Sequence, residues 1–399
     1  MDTVTLVIAI AGICLAIYFN VCNGRNDAAN TIAISLATRA LSPGKAVILA
    51  SIFCLIGPFV FSTAVASTIG KGLVVTEILT PILLLIALIG SIFWVSFCSH
   101  KGLPVSSSHA MVGGLIGAGL AAGGINAVLG PPSEMFFGML FYLGCGTAIG
   151  GVLGLVISLI AKAPVKKGLG YGAMTGAVFA IPIAMIAFGF VFSGILAILL
   201  FICISPMLGF LISFCITMIL TKISSKISKN PTALNKWFQR LQVAGSAFQA
   251  LSLGGNDAQH AMGFIMAIMM SVGWIGANDP LPFWVIMISA LAISIGLLSG
   301  GWKVIRNLGS GITKILPNQG FSASLAAGSV LSAIVAAGVP VSSTHLTTGT
   351  IMGTGVTKGF GAVNWKTVRS MVLAWVITIP CAAIVSFVLY LIIKLIFGL

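Results

Sequence analysis

Acidic side chains are close to absent: six Asp and Glu stand against 20 Lys and Arg in 399 residues. Charge of either sign is scarce, at 7% of positions, where a soluble domain carries roughly 25%. That excludes a water-exposed globular fold for the bulk of the chain. The excess of base, +14 in all, sits between apolar runs. It therefore reports topology in a bilayer, and no nucleic-acid-binding pattern accompanies it. Cysteine is sparse and unpatterned: Cys14, Cys22, Cys54, Cys98, Cys145, Cys203, Cys215 and Cys381 lie in or beside apolar runs, with no Cys-x-x-Cys. They read as small buried hydrophobes, and a disulfide framework or a zinc site has no support. Strands that alternate apolar and polar residues, as in an outer-membrane barrel, are missing. No basic stretch precedes the first apolar run, so a cleavable signal peptide is not expected.

What is present is apolar length. Hydrophobic residues make up 58% of the chain, and the runs 78–100 and 168–221 carry no charge at all. A helix needs about 20 apolar residues to span a bilayer. The expectation is an all-α polytopic membrane protein.

Two of the six acids sit inside such runs, in matching surroundings. Asn23-Gly24-Arg25-Asn26-Asp27-Ala28-Ala29-Asn30 returns as Gly254-Gly255-Asn256-Asp257-Ala258-Gln259-His260-Ala261, with the shared Asn-Asp-Ala 230 residues apart. A carboxylate at membrane depth costs ~2.5–3.5 kcal/mol on insertion scales and marks a functional site. The run 4–37 is too long for one upright crossing, and its polar centre suggests a broken or strongly tilted helix. A second motif also repeats. Pro104, Val105, Ser106, Ser107, His109, Gly113, Gly117 and Gly119 match Pro340, Val341, Ser342, Ser343, His345, Gly349, Gly353 and Gly355 at a constant offset of 236.

The duplication implies two halves. The most polar stretch, 221–242, carries Lys222, Lys226, Lys229, Lys236 and Arg240 without an acid and reads as a basic cytoplasmic loop. It would separate a first repeat with additional helices (1–220) from a second (243–399). With that loop inside, Arg39, Lys45, Lys101, Lys162–Lys167, Lys303–Lys314 and Lys358–Arg369 also fall inside. The count is then about twelve transmembrane passages with both termini outside. The halves have opposite orientation, an inverted-topology repeat of the kind found in secondary transporters. Each Pro-Val-Ser-Ser run either crosses or dips as a re-entrant hairpin.

Ser106, Ser107 and Ser108, with Ser342, Ser343 and Thr344, place hydroxyls at two expected helix starts. There, free N–H groups and a partial positive charge favour an anion. A single such cluster is ordinarily an N-cap; two, facing each other across a pseudo-twofold axis, could surround a tetrahedral oxyanion. Asp27 and Asp257 would repel that anion. Joined by Asn23, Asn26 and Asn256, they suit a hard cation such as Na⁺, with a proton as the rival and an Asp27–Arg25 ion pair as the structural alternative. His109 and His345 fit an anion donor, a proton site or a packing role equally. Gln242 and Gln249 fit substrate donors or inter-helix hydrogen bonds. The spacings Gly113-x-x-x-Gly117, Gly146-x-x-x-Gly150 and Gly349-x-x-x-Gly353 suit close helix packing. An intramembrane serine hydrolase is the remote alternative, disfavoured because both halves carry equivalent groups where an enzyme needs one activated nucleophile.

These paired motifs resemble those of the inorganic phosphate transporter (PiT) family, over the whole chain. The resemblance implies secondary import of inorganic phosphate coupled to Na⁺ or H⁺, sulfate being the competing oxyanion. It also implies a cell-membrane location and a homodimer. Carried over residue by residue, it puts phosphate at Ser106–Ser108 and Ser342–Thr344, and the coupling cation at Asn23, Asp27, Asn256 and Asp257. Only about twenty residues stand where animal members have a large soluble loop, which implies a prokaryotic member.

Overall fold

A computed structural model describes residues 2–71, 78–129, 133–160, 194–227, 230–276 and 278–398, with scattered positions between 164 and 184. Lys162, Lys167, Lys229 and most of 171–193, within the apolar run 168–221, lie outside the described residues.

A chain this apolar must satisfy its backbone internally, and helices do so within one segment. The first part runs through α1 (Thr3–Ala37), α2 (Pro43–Val60), the short α3 (Ala64–Lys71), α4 (Pro81–Lys101), α5 (Ser107–Gly123) and α6 (Ser133–Ile160). It continues through α7 (Gly194–Ile227), α8 (Pro231–Asp257), α9 (Gln259–Ser271), α10 (Phe283–Ser299), α11 (Trp302–Gly311), α12 (Pro317–Ala336), α13 (Ser343–Val356) and α14 (Trp365–Phe397). Local chemistry sets the starts. Proline opens α2, α4, α8 and α12, where its missing N–H costs nothing. Asn230 caps α8 by accepting from Thr232 and Ala233 N–H. Gly102, at φ 74°, stops α4 in the left-handed conformation that glycine takes most easily.

Seven helical stretches among the described residues are long and apolar enough to cross a bilayer, in α1, α2, α4, α6, α7, α12 and α14. The pair α10–α11, bent by 72°, makes an eighth. A polytopic all-helical membrane fold is thus what the chain forms.

The helices differ in detail from the apolar runs. Of the broken or strongly tilted helix expected over 4–37, the break is not formed: α1 is one unbroken 35-residue helix, because its central polar side chains leave its own backbone ladder alone. In the second copy the interruption is limited to Ala258, itself helical at φ −64°, ψ −28°, beside Gln259, whose Nε2 donates to the Gly255 carbonyl at 2.6 Å. The basic stretches 221–242 and 303–314 are largely helix, in α7–α8 and α11. In α11, Val304, Ile305 and Leu308 are buried while Lys303 and Arg306 point out, so a charged sequence still makes an amphipathic helix.

The chain divides into two compact units, Met1–Val128 with Ser205–Leu399, and Leu129–Ile204. Within the first, the two motif helices each pack on a helix of the other half. α1 lies on α10, with Gly24 facing the Ile293 carbonyl and Gly296 facing Val21; α8 lies on α2, with Gly254 facing the Cys54 carbonyl and Gly57 facing Leu251. A Cβ at any of the four would collide with backbone. The Pro-Val-Ser-Ser runs begin the second arms of two antiparallel hairpins. In α4–α5, Gly114 lies against Ala87 and Ser91 donates to the Ala110 carbonyl at 3.0 Å. In α12–α13, Gln319 donates to the Thr354 carbonyl at 2.8 Å. The helical glycines expected to allow close packing do so: Gly113 and Gly117 abut α14, and Gly349 and Gly353 abut α7.

In the smaller unit, Gly146, Gly150 and Gly154 of α6 meet Gly176, Gly172 and Gly168, an antiparallel seam of glycine on glycine. Small residues let two helices approach this way in lipid.

Candidate functional site

Both Asn-Asp motifs and both hairpin tips converge. Asp27, Asp257, Asn23, Asn26 and Asn256 are each at most 2% exposed, and the six Ser and Thr of the hairpin tips at most 5%. Asp27 Oδ1 accepts from Asn26 Nδ2 at 3.0 Å, Asn30 Nδ2 at 3.1 Å and Thr344 Oγ1 at 3.0 Å. Asp257 accepts from Asn256 Nδ2 at 2.5 Å and from Ser343 Oγ at 2.8 Å. The two carboxyl groups lie within hydrogen-bonding distance of one another.

The contacts repeat between halves. Asn26 donates to the Val105 carbonyl at 2.8 Å and Asn256 to the Val341 carbonyl at 3.0 Å, so each Asn ties its aspartate to its own half's hairpin. The caps match as well: Ser106 Oγ accepts from His109 N–H and Ser342 Oγ from His345 N–H, at 3.3 and 3.2 Å. Across the halves, Ser108 donates to Val341 at 3.4 Å and Thr344 to Val105 at 3.3 Å. Ser108 pairs with His260 at 3.0 Å, and Thr344 with Asn30 at 3.2 Å; His260 and Asn30 occupy the same place in the two copies of the motif.

Chemically the cluster holds two kinds of group. One is the carboxyl pair with three amide oxygens, Asn23 Oδ1, Asn26 Oδ1 and Asn256 Oδ1, which are buried without a donor. An orphaned buried acceptor is costly, and an oxygen-only set around two carboxyls is the donor set of a hard cation. The other is the ring of hydroxyls at the N-termini of α5 and α13, among them Ser107 Oγ, which has no partner. Hydroxyls at helix starts are what an oxyanion requires.

The alternative Asp27–Arg25 ion pair is not formed. Arg25 is exposed while Asp27 is buried, and Asp27 spends its acceptor capacity on Asn26, Asn30 and Thr344. The rings of His109 and His345 meet edge to face, with centroids 4.7 Å apart, and Trp375 stacks on His345 at 3.9 Å; that is a packing arrangement. Gln242 and Gln249 are inter-helix ties, to Ser324 and to the Asn30 carbonyl. Asn30 and His260, which the sequence analysis did not single out, also join the cluster. The signal was available, since both are motif positions at the constant offset of 230.

Ser108, His260 and Asn23 are connected like a nucleophile, a base and an orienting group, yet the polarity is reversed. Asn23 Nδ2 donates to the Asp257 carbonyl and to His260 Nδ1, both at 3.3 Å. Nδ1 is therefore the acceptor, Nε2 carries the proton, and it donates to Ser108, whose own proton goes to Val341. A histidine in that tautomer cannot take the serine proton. Ser108 is expected to stay unmodified by a serine-directed fluorophosphonate; covalent labelling abolished by Ser108→Ala would overturn this assignment.

Comparison with known proteins agrees with the geometry. The phosphate transporter family matches residues 23–171 and 147–386, almost the full length between them. A protein of Rhizobium meliloti named a probable low-affinity inorganic phosphate transporter is 34% identical, over 95% of this chain and 94% of its own. One of Bacillus subtilis with the same name is 31% identical over the whole of both chains. A solved structure described as the sodium-dependent phosphate transporter shares the fold at a TM-score of 0.69 and 23% identity, over 98% of this chain and 100% of that one. A matching family over most of the length, relatives above 30% identity and a duplicated site suited to an anion and a cation lead to one conclusion: the chain belongs to the phosphate transporter family, and it is a transporter, not an enzyme.

Proposed function

We propose that the protein is a symporter that imports inorganic phosphate across the cell membrane together with Na⁺, by alternating access between two inverted halves. The observation that carries this reading is the meeting of Asp27 and Asp257, ringed by Asn oxygens without donors and bordered by the hydroxyls of both hairpin tips. Two carboxylates in contact in a low-dielectric interior repel strongly unless a cation lies between them. Na⁺ held by Asp27, Asp257, Asn23, Asn26 and Asn256 removes that repulsion. It also makes the neighbouring ring of Ser106–Ser108 and Ser342–Thr344 hospitable to a phosphate anion. Coupling follows from charge: the anion enters readily only after the cation has entered.

The structural neighbour's description as sodium-dependent supports Na⁺ as the partner ion. The same carboxyl pair could instead share a proton, which keeps proton coupling as the second reading. The reading includes about twelve passages with both termini outside, as the positive-inside count gives, in 1–220 and 243–399 as the two repeats joined by 221–242, and assembly as a homodimer.

Uptake of labelled phosphate into proteoliposomes tests it. An inward Na⁺ gradient should drive accumulation, sulfate should not compete, and a proton gradient alone should not suffice. Accumulation driven by protons and indifferent to Na⁺ would reassign the aspartates as proton carriers.

A further inference from the structure

At the constant offset of 230, α1 and the α8–α9 pair carry equivalent positions at both ends of the carboxyl cluster, and the two ends differ in chemistry. Where α1 finishes and α8 begins, the helices are sealed by polar side chains. Ser35 and Ser246 share a hydrogen bond of 2.5 Å, and Gln242 Nε2 donates to Ser246 and Ser324 at 2.8 and 2.9 Å. Gln249 Nε2 donates to the Asn30 carbonyl and Thr347, at 2.7 and 3.2 Å. Each of Ser35, Gln242, Ser246 and Gln249 is at most 4% exposed.

The equivalent positions at the other end are apolar. Ser35 and Ser246 correspond to Ile265 and Ala16, Thr38 and Gln242 to Ile268 and Gly12, and Gln249 to Phe19. There Gly12 lies against Ile268, and Phe19 packs edge-on to Phe264 with centroids 6.4 Å apart.

The polar seal is also incomplete. Gln242 Oε1 and Gln249 Oε1 are buried with no donor. A buried amide oxygen left unpaired is penalised, and water supplies the missing bond when the seam parts. Water can replace the serine and glutamine bonds group for group. It has nothing to offer Phe19, Phe264 and Ile268, and an apolar constriction excludes it. No Asp or Glu lies between Ser35 and Arg39 or between Lys236 and Gln249, so nothing on this seam repels an anion. The exposed Arg39, Lys236 and Arg240 stand at its mouth, and basic rims raise the local anion concentration.

We infer that the α1–α8 seam at Ser35, Gln242, Ser246 and Gln249 is the water-filled route of phosphate between the central cluster and the membrane face bearing Arg39, Lys236 and Arg240. The Gly12–Phe19 stretch packed on Phe264–Ile268 is the dry seal that closes the opposite side at rest. The inference rests on the reading of the cluster as a phosphate site. Alternating access requires both seals to part in the cycle; the polar one parts first, in the protein free of Na⁺ and phosphate.

The test pairs Ser246→Cys with its counterpart Ala16→Cys, each in a chain whose eight native cysteines are replaced. The probe is a small, charged methanethiosulfonate in Na⁺-free and phosphate-free buffer. Ser246→Cys should react at least about tenfold faster than Ala16→Cys, and phosphate with Na⁺ should slow it by roughly threefold or more, as expected of a wetted pathway that ligand closes. Equal rates, or a faster Ala16→Cys, would overturn the inference. Binding of radiolabelled phosphate to the same samples separates the two claims. Normal binding with an inert Ser246→Cys rejects the route and keeps the site, whereas no binding even by the unmodified chain rejects the site. Gln242→Leu in the otherwise native chain decides independently of the cysteine replacements. It should slow uptake by about tenfold or more while phosphate binding stays within about twofold, because it dries the route without touching the cluster; unchanged uptake would overturn the proposal.

Discussion

Asp257→Asn should abolish Na⁺-driven phosphate uptake without unfolding the protein. The substitution is isosteric, and the amide oxygen can still accept from Asn256 Nδ2 as Asp257 Oδ1 does, while Ser343 can reverse its role and accept from the new amide N–H. What disappears is one unit of charge beside the cation proposed to bind there. At contact distance that is worth several kcal/mol even at an effective dielectric of about 20, and each ~1.4 kcal/mol is a factor of ten. Uptake is therefore expected to fall by about 100-fold or more, with expression and membrane yield unchanged. Thermal stability supplies a readout separate from transport. In the native chain Na⁺ should raise the melting temperature by mass action, because it relieves the repulsion between the two touching carboxyl groups. In Asp257→Asn that repulsion is already gone, so the melting temperature without Na⁺ should equal or exceed that of the native chain, and added Na⁺ should no longer raise it. Asp27→Asn should behave alike, since Asp27 is proposed to hold the same cation and its three donors all reach Oδ1. Full Na⁺-driven uptake in both variants, with a Na⁺-dependent melting shift intact, would remove the aspartates from the coupling mechanism.

Much of this site was legible because the chain states it twice. A buried acid in an apolar run is already unusual; the same Asn-Asp-Ala 230 residues later, and Pro-Val-Ser-Ser-x-His repeated at 236, point to two equivalent segments meeting. The scarcity of charge and the length of the apolar runs likewise pointed to an all-helical membrane fold. The sequence was less informative about where a polar side chain spends its hydrogen bonds. The polar centre of the 4–37 run suggested a break, and Asn does compete with the backbone for local partners. In the folded chain those partners come from elsewhere: the Asp257 carbonyl for Asn23, the Val105 carbonyl for Asn26 and the Thr344 hydroxyl for Asn30. α1 therefore continues unbroken through the motif. The same limit explains Arg25, which sequence proximity offered as a partner for Asp27. On a helix, residues two apart point in divergent directions, and Arg25 faces outward. The basic segment 303–314 shows the same limit: Val304, Ile305 and Leu308 form a buried helical stripe that its charges mask in the sequence.

Gly254→Ala and Gly24→Ala should each destabilise the fold far more than one added methyl suggests. In a soluble helix interior, replacing Gly by Ala would gain ~0.8–1 kcal/mol of propensity. Here the new Cβ of Gly254 would press on the Cys54 carbonyl of α2, and that of Gly24 on the Ile293 carbonyl of α10. A backbone carbonyl has no rotamer with which to move aside, so the helices must separate along the whole seam. Overpacking costs typically ~1–3 kcal/mol, and more where nothing can yield; the upper end applies, enough to lower the thermal midpoint by about 5–10 °C. Gly44→Ala is the control, because a methyl there would meet no other atom within 4 Å, and its midpoint should be unchanged or raised. The pairing is reciprocal, Gly57 facing Leu251 and Gly296 facing Val21, so the two halves hold each other through equivalent contacts. Gly254 is also two residues from Asn256, which ties Asp257 to Val341. Opening the α8–α2 seam therefore shifts the carboxyl of one half away from that of the other, and Na⁺-dependent stabilisation should weaken together with the midpoint. A Gly254→Ala protein that melts with the Gly44→Ala control and keeps its response to Na⁺ would mean that close backbone contact between the halves does not set the distance between Asp27 and Asp257.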